Sequence, residues 1–190
     1  MKVGVLALQG DVREHVLALE AIGATPVAVK RIDELDSVDG LIIPGGESTT
    51  IGKLLDRFGL LEPLERRVSD GMPCYGTCAG MILLANRVVG KEDAPHRIGA
   101  LDVDVRRNAY GRQVESFEAD LDLPGDDDPF RAVFIRAPVI ERVGDSVVAI
   151  ASFDGRPVLV KQGWLLASSF HPEMTGDRRI HQMFLDMVRD

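Results

Sequence analysis

Residues 72–85 read Met72-Pro73-Cys74-Tyr75-Gly76-Thr77-Cys78-Ala79-Gly80-Met81-Ile82-Leu83-Leu84-Ala85, and this stretch decides how the chain is folded. Its beginning, through Tyr75, is short and largely apolar, like a buried strand. Met81 to Ala85 is a good helix former. Between them, Gly76 to Gly80 leaves room only for a sharp strand-to-helix turn, which needs small neighbours and the dihedral freedom of glycine. A thiol, Cys78, sits in that turn. Backbone N–H groups at a helix start stabilise negative charge, and thiolate is the attacking form of cysteine. The pattern is a nucleophile elbow, although the five residues alone also fit a buried, inert cysteine beside a capping glycine.

Outward from this unit the same alternation recurs. Val3 to Leu8 is a continuous apolar run that ends in Gln9-Gly10-Asp11, after which Val12, Val16, Leu19 and Ile22 follow at helical spacing to Gly23, with Asp11 as the expected cap. Pro26 to Val29 and Gly40 to Ile43 read as further strands, the latter leading into Pro44-Gly45-Gly46-Glu47-Ser48. Helices are expected around Ile51 to Phe58 and over Leu61 to Val68. Buried strands alternating with amphipathic helices imply a parallel sheet covered on both faces. After Ala85 strands dominate: Leu101 to Val105, Val114 to Ala119, Ala132 to Ile135, Val147 to Ser152, Arg156 to Lys161 and Trp164 to Phe170, with Asp154-Gly155 as a hairpin signal. A last helix carries Ile180, Phe184, Met187 and Val188. The expected fold is a three-layer α/β domain over residues 1–190: an open, mostly parallel sheet with helices on both faces and some antiparallel strands in the second half. Ligands of such sheets bind at the carboxyl ends of the strands, where Gly45-Gly46 and Cys78 both fall.

Composition narrows the functional classes. The chain of 190 residues is 45% apolar and 27% charged, as a soluble globular protein is, and long enough to bury a core without disulfides or metal. No apolar run approaches the roughly 20 residues that span a bilayer, and the start of the chain reads as a strand rather than a secretion signal, so no membrane role and a cytoplasmic location are expected. A net charge of -8 argues against nucleic acid. The pairs Arg106-Arg107 and Arg178-Arg179 are too short to overturn that, and the loop Pro124 to Pro129 reads as an exposed elaboration. Cys74 reads as strand filler, and two cysteines make neither a disulfide framework nor a cysteine-only zinc site.

A nucleophilic cysteine needs a base and an orienter for that base. His15, His96 and His181 fit surface or packing roles. His171, in Ser169-Phe170-His171-Pro172-Glu173, follows an apolar strand, and on an extended segment His171 and Glu173 face the same side with Cα atoms ~7 Å apart. A carboxylate so placed holds an imidazole in one tautomer. In isolation the pair also fits a polar strand end, and less well a metal site, for which no third ligand is evident. Glycines after a buried strand let the N–H groups of Gly46 and Ala79 face a reacting oxygen. That loop lacks the Gly-Lys-Ser/Thr ending of a P-loop.

The Gly-x-Cys-x-Gly elbow, the upstream Pro-Gly-Gly loop and the downstream His-Pro-Glu together resemble class I glutamine amidotransferases, in the order Cys, His, Glu. Within them the chain is most similar to the branch of glutaminase subunits of pyridoxal 5'-phosphate synthases. The resemblance rests on Gly4 to Gly10, Pro44 to Thr50, Gly76 to Ile82, Arg107-Asn108-Ala109-Tyr110-Gly111-Arg112-Gln113, Phe134-Ile135-Arg136-Ala137-Pro138 and Phe170 to Glu173. Many class I members carry glutamine four residues after the nucleophile; Ile82 stands there, in keeping with this branch. The resemblance implies glutamine hydrolysis with Cys78, His171 and Glu173 as the triad. It further implies Gly46 and Ala79 as oxyanion donors, and Gly46, Glu47, Ser48, Arg107, Ile135 and Arg136 as glutamine contacts. No cofactor and no metal are implied. The implied partner is a ring-forming (β/α)8-barrel synthase subunit that combines the ammonia with two sugar phosphates, and the oxyanion loop is expected to be completed on docking. A related cysteine hydrolase and a silent binding module are the competing classes.

Overall fold

The computed structural model describes residues 1–90, 96–107 and 116–189. The first half runs β1 (Lys2–Leu6), α1 (Val12–Ala21), β2 (Thr25–Val29), α2 (Ile32–Asp36), β3 (Gly40–Ile43), α3 (Ser48–Arg57), α4 (Leu61–Ser69), β4 (Cys74–Thr77), α5 (Ala79–Leu84) and β5 (Ala85–Val88). The second half follows with β6 (Leu101–Arg106), β7 (Ser116–Leu121), β8 (Phe130–Ile135), β9 (Val139–Val143), β10 (Val148–Phe153), β11 (Arg156–Gln162), β12 (Leu165–Ser168), a 3-10 turn over Pro172–Met174 and α6 (Arg179–Arg189).

Among the described residues, seven strands form one sheet in the order β10-β11-β12-β4-β3-β1-β2. From β2 to β12 neighbouring strands are parallel; β11 and β10 continue antiparallel. The two-residue period of the strands splits the core. Leu41, Ile43, Cys74 and Leu165 pack with Leu35 of α2, Ile51 of α3, Leu64 of α4 and Met81 of α5. Ile42, Tyr75 and Leu166 pack on the other face with Leu19 of α1, Phe184 of α6 and Phe130 and Phe134 of β8. Strands buried on both faces have no polar alternation to show, which is why Leu41, Ile42 and Ile43 are wholly buried in sequence. The three layers and the antiparallel strands of the second half match the expectation.

Several details differ from it. The first strand stops at Leu6, because Leu8 already lies in the turn that leads to α1. The helix α2 and the strands β5 and β9 carry too few residues to show a period. Val114 lies outside the described residues, and the strand expected to start there is seen over Ser116–Leu121. Asp154 and Gly155 have φ of 49° and 71°, the two positive dihedrals of a tight hairpin, and join β10 to β11. No described helix is long and apolar enough to cross a membrane.

Candidate active site

Thr77 ends β4 and Ala79 starts α5, so Cys78 alone makes the turn, with φ 47° and ψ -98°. Non-glycine residues occupy such dihedrals at a cost of about 1–3 kcal/mol, borne only where the surroundings fix them. The neighbouring glycines do the fixing. A Cβ on Gly76 would lie 2.5 Å from the Gly80 carbonyl carbon, and one on Gly80 would strike the Ile43 carbonyl oxygen. Backbone therefore packs on backbone from β3 through β4 to α5, and the thiol is held at the carboxyl edge of the sheet.

The next strand over supplies the base. Ser168 of β12 pairs in parallel register with Thr77, so the chain leaves β12 at the same edge and reaches His171 three residues later. Pro172 then opens a 3-10 turn, as its fixed φ suits a first helical position. The expected extended segment is thus a tight turn, but the contact it was expected to make is present. His171 Nδ1 lies 2.8 Å from Glu173 Oε1, with both residues buried. The ring and the Cys78 thiol line the same cavity, and the thiol is among the groups that favour charge on the ring. As Nδ1 is taken by the carboxylate, Nε2 is the nitrogen left for the thiol. The Cys78 sulfur itself lies 3.8 Å from the Ile135 carbonyl oxygen.

A second carboxylate joins them. Asp11, expected to cap α1, makes no capping hydrogen bond; its Oδ2 lies 3.3 Å from His171 Nδ1. Burial opposes charge on the ring, but its interactions with Asp11, Cys78 and Glu173 outweigh it and raise the His171 pKa to about 12. Burial pushes the Glu173 carboxyl upward, against the pull of His171. Asp11 is also the third ligand-type group that the sequence did not make evident: its carboxylate, His171 and Glu173 bring three such atoms within 4.8 Å of one another. Any ion held there would compete for the Nδ1 atom that already bonds Glu173.

The loop from β3 to α3 forms the facing wall. Glu47 caps α3, its carboxylate accepting from Thr49 N at 3.0 Å and from Thr50 N and Oγ1 at 2.7 Å each. Burial works against that charge, yet the Thr50 and Thr49 hydrogen bonds hold the Glu47 pKa down at about 2. Arg107 donates to Glu47 Oε1 at 2.8 Å and Thr49 Oγ1 at 2.9 Å. Gly46 has φ 153°, and a Cβ there would lie 2.5 Å from Gln9 Oε1, which accepts from Glu47 N at 2.8 Å. Ala79 is the first residue of α5, where an N–H has no partner within the helix.

These walls enclose a cavity of about 420 Å³. Of the expected residues, Gly46, Glu47, Ser48, Cys78, Arg107, Ile135, Arg136 and His171 line it, while Glu173 stands behind His171. Gln9, Asp11, Ile82 and Met174 also line it, although the sequence marked none of them as a site residue. Gln9 and Asp11 follow β1, so the rule that ligands gather at the carboxyl ends of parallel strands could have found both. Asn108 to Gln113 lie outside the described residues. His15 and His181 are completely buried, and His96 lies 3.7 Å from Asp56.

Residues 5–190 match the model of the SNO glutamine amidotransferase family. A curated relative in Mycobacteroides abscessus, pyridoxal 5'-phosphate synthase subunit PdxT, is 60% identical over 98% of this chain and 97% of its own length. The subunit of the same name in Nocardia farcinica is 59% identical over 98% of this chain and 85% of its own. Among solved structures, a glutamine amidotransferase superposes with a TM-score of 0.94 at 50% identity over 99% of both chains. A putative GMP synthase subunit from Thermoplasma acidophilum, at 18% identity and TM-score 0.70 over 100% of this chain and 94% of its own, shares the fold.

Proposed function

The chain belongs to the SNO glutamine amidotransferase family, and from that premise we propose that it is the glutaminase subunit of a pyridoxal 5'-phosphate synthase, one domain over residues 1–190. The observation that carries the mechanism is the elbow thiol of Cys78 and the His171 ring on one cavity, with the ring bonded from behind by buried Glu173. Cys78 thiolate attacks the side-chain carboxamide carbon of L-glutamine, and the carbonyl π electrons move to oxygen, where the N–H groups of Gly46 and Ala79 receive the charge. His171 gives its Nε2 proton to the departing ammonia as the C–N bond breaks, leaving a thioester. Water then adds to the thioester carbon while His171 takes a proton from it, and expulsion of the thiolate releases glutamate. Glu173 keeps the ring in one tautomer throughout.

Gly46, Glu47, Ser48, Arg107, Ile135 and Arg136 hold the glutamine, with Arg107 as the fixed guanidinium for its α-carboxylate. The Glu47 and Thr49 contacts support this, since they keep the arginine at the cavity wall. Free ammonia is mostly protonated in neutral water and therefore a poor nucleophile. The product is useful when handed directly to a synthase subunit, which in this proposal is the ring-forming (β/α)8 barrel. A cytoplasmic location belongs to the same reading, because Cys78 must stay reduced and both cysteines are free thiols.

Cys78→Ala is expected to abolish glutamine-dependent ammonia release, by at least about a thousandfold, and to abolish covalent labelling by a glutamine-like electrophile. A variant that still releases ammonia would overturn the mechanism. Completion of the Gly45-Gly46 loop on docking predicts faster ammonia release with the synthase subunit than without it. Equal rates would show that the loop is complete in the free chain.

A further inference from the structure

Glu173 is wholly buried, yet only half of its carboxylate is accounted for. Oε1 bonds His171, while Oε2 has no hydrogen bond and faces Nε2 of His15 at 3.5 Å. A buried carboxylate that must stay ionised beside an imidazolium needs donors or positive partial charge at both oxygens. We propose that His15 is a positioning residue for glutamine hydrolysis: it holds the outer oxygen of Glu173, and through Glu173 it keeps His171 aimed at Cys78. This rests on the glutaminase reading and extends it to a residue outside the cavity.

The placement follows from α1. Asp11 and His15 are four residues apart at the start of this helix, on one face. The first reaches His171 and the second reaches the carboxylate behind it. His15 Nε2 also lies 3.3 Å from Thr77 Oγ1, one residue before the nucleophile, and its Nδ1 lies 3.0 Å from Nε2 of His181 on α6. One buried ring thus ties together the strand that carries the thiol, the turn that carries the carboxylate, and the last helix.

The chemistry selects a tautomer. Burial foremost, and then the neighbouring His181 and His171, hold the His15 pKa well below 6.5, so the ring is neutral with one N–H. A lone pair turned to the Glu173 carboxylate would repel it, so the proton sits on Nε2. Nδ1 then accepts from His181 Nε2–H, which leaves His181 Nδ1 as the lone-pair nitrogen, the atom found without a partner.

The test uses the full chain assembled with its synthase partner and follows ammonia release from glutamine. His15→Met removes the donor at similar volume, and kcat is expected to fall at least tenfold with KM within twofold of wild type, because His15 does not line the cavity. His15→Gln restores a donor at the Nε2 end and is expected to recover most of that loss. His15→Asn places its amide only as far as the Nδ1 end and is expected to stay as slow as His15→Met. Full activity in His15→Met, or equal kcat in the Gln and Asn variants, overturns the proposal. If the Met variant does not fold, the comparison of the two amides decides alone. A wild-type complex that releases no ammonia overturns the glutaminase reading itself.

Discussion

At the scale of single residues, the site depends on a hydrogen atom at Gly45. Its φ lies outside the left-handed region, so backbone freedom is not what requires glycine there. A Cβ would collide with His171 Cε1 and stand 2.8 Å from Nδ1 and 2.9 Å from Asp11 Oδ2. The imidazole lies against the bare backbone of the loop, where it meets both carboxylates. Gly45→Ala therefore has to displace the ring. Overpacking of this kind costs about 1–3 kcal/mol, which a thermal melt will show as a shift of several degrees. A displacement near 1 Å at the reacting group lowers rates by roughly 100-fold, so kcat for ammonia release is expected to fall by about that much. An unchanged kcat in Gly45→Ala would show that the ring does not need its seat against this loop.

At the scale of elements, what was legible in the sequence follows from what each element has to satisfy. The elbow could be read because a strand, a one-residue turn and a helix in direct succession demand Gly76 and Gly80. His171 could be placed because it follows an apolar strand of the parallel sheet, at the carboxyl edge where ligands bind. Two kinds of feature were not legible. Short elements such as α2, whose only wholly buried residue is Leu35, and β9, buried only at Val139 and Ile140, are set by what they pack against. Pairings across elements were the other kind. Asp11 has the residue type and position of a helix cap, and nothing local says that His171 will claim it. His15 and His181 are each a lone histidine on a helix, and their contact spans 166 positions of the chain. Arg179, in a pair whose sequence shows only that it is too short for nucleic acid, ties α6 to the acidic loop, donating to Asp126 Oδ2 at 3.0 Å and to the carbonyl of Asp128 at 2.8 Å.

At the scale of the whole molecule, the buried histidines between α1 and α6 make folding sensitive to acid. Burial, and then Arg178, lower the His181 pKa to about 4, while an unfolded chain leaves it near 6.5. Between those values the unfolded state binds more protons, so the contribution of His181 to stability is present above about pH 6.5 and is lost as pH falls toward 4. The gap corresponds to roughly 3 kcal/mol. His15 acts in the same direction. Glu173 opposes them, because its carboxyl is raised in the folded state and takes up a proton there more readily than when unfolded. His171, raised in the fold, loses its contribution only as pH climbs above 6.5 and is constant in the acid window. A single melting curve would mix these contributions, whereas comparison with His181→Phe separates them. The variant lacks the His181 titration and keeps Glu173 and His171, so its stability relative to wild type is expected to improve by about 3 kcal/mol as pH falls from 7 to 4. Urea unfolding of both proteins across that range measures the difference. A constant difference would mean that His181 binds protons equally in the folded and unfolded chains, and that the contact joining α1 to α6 survives protonation.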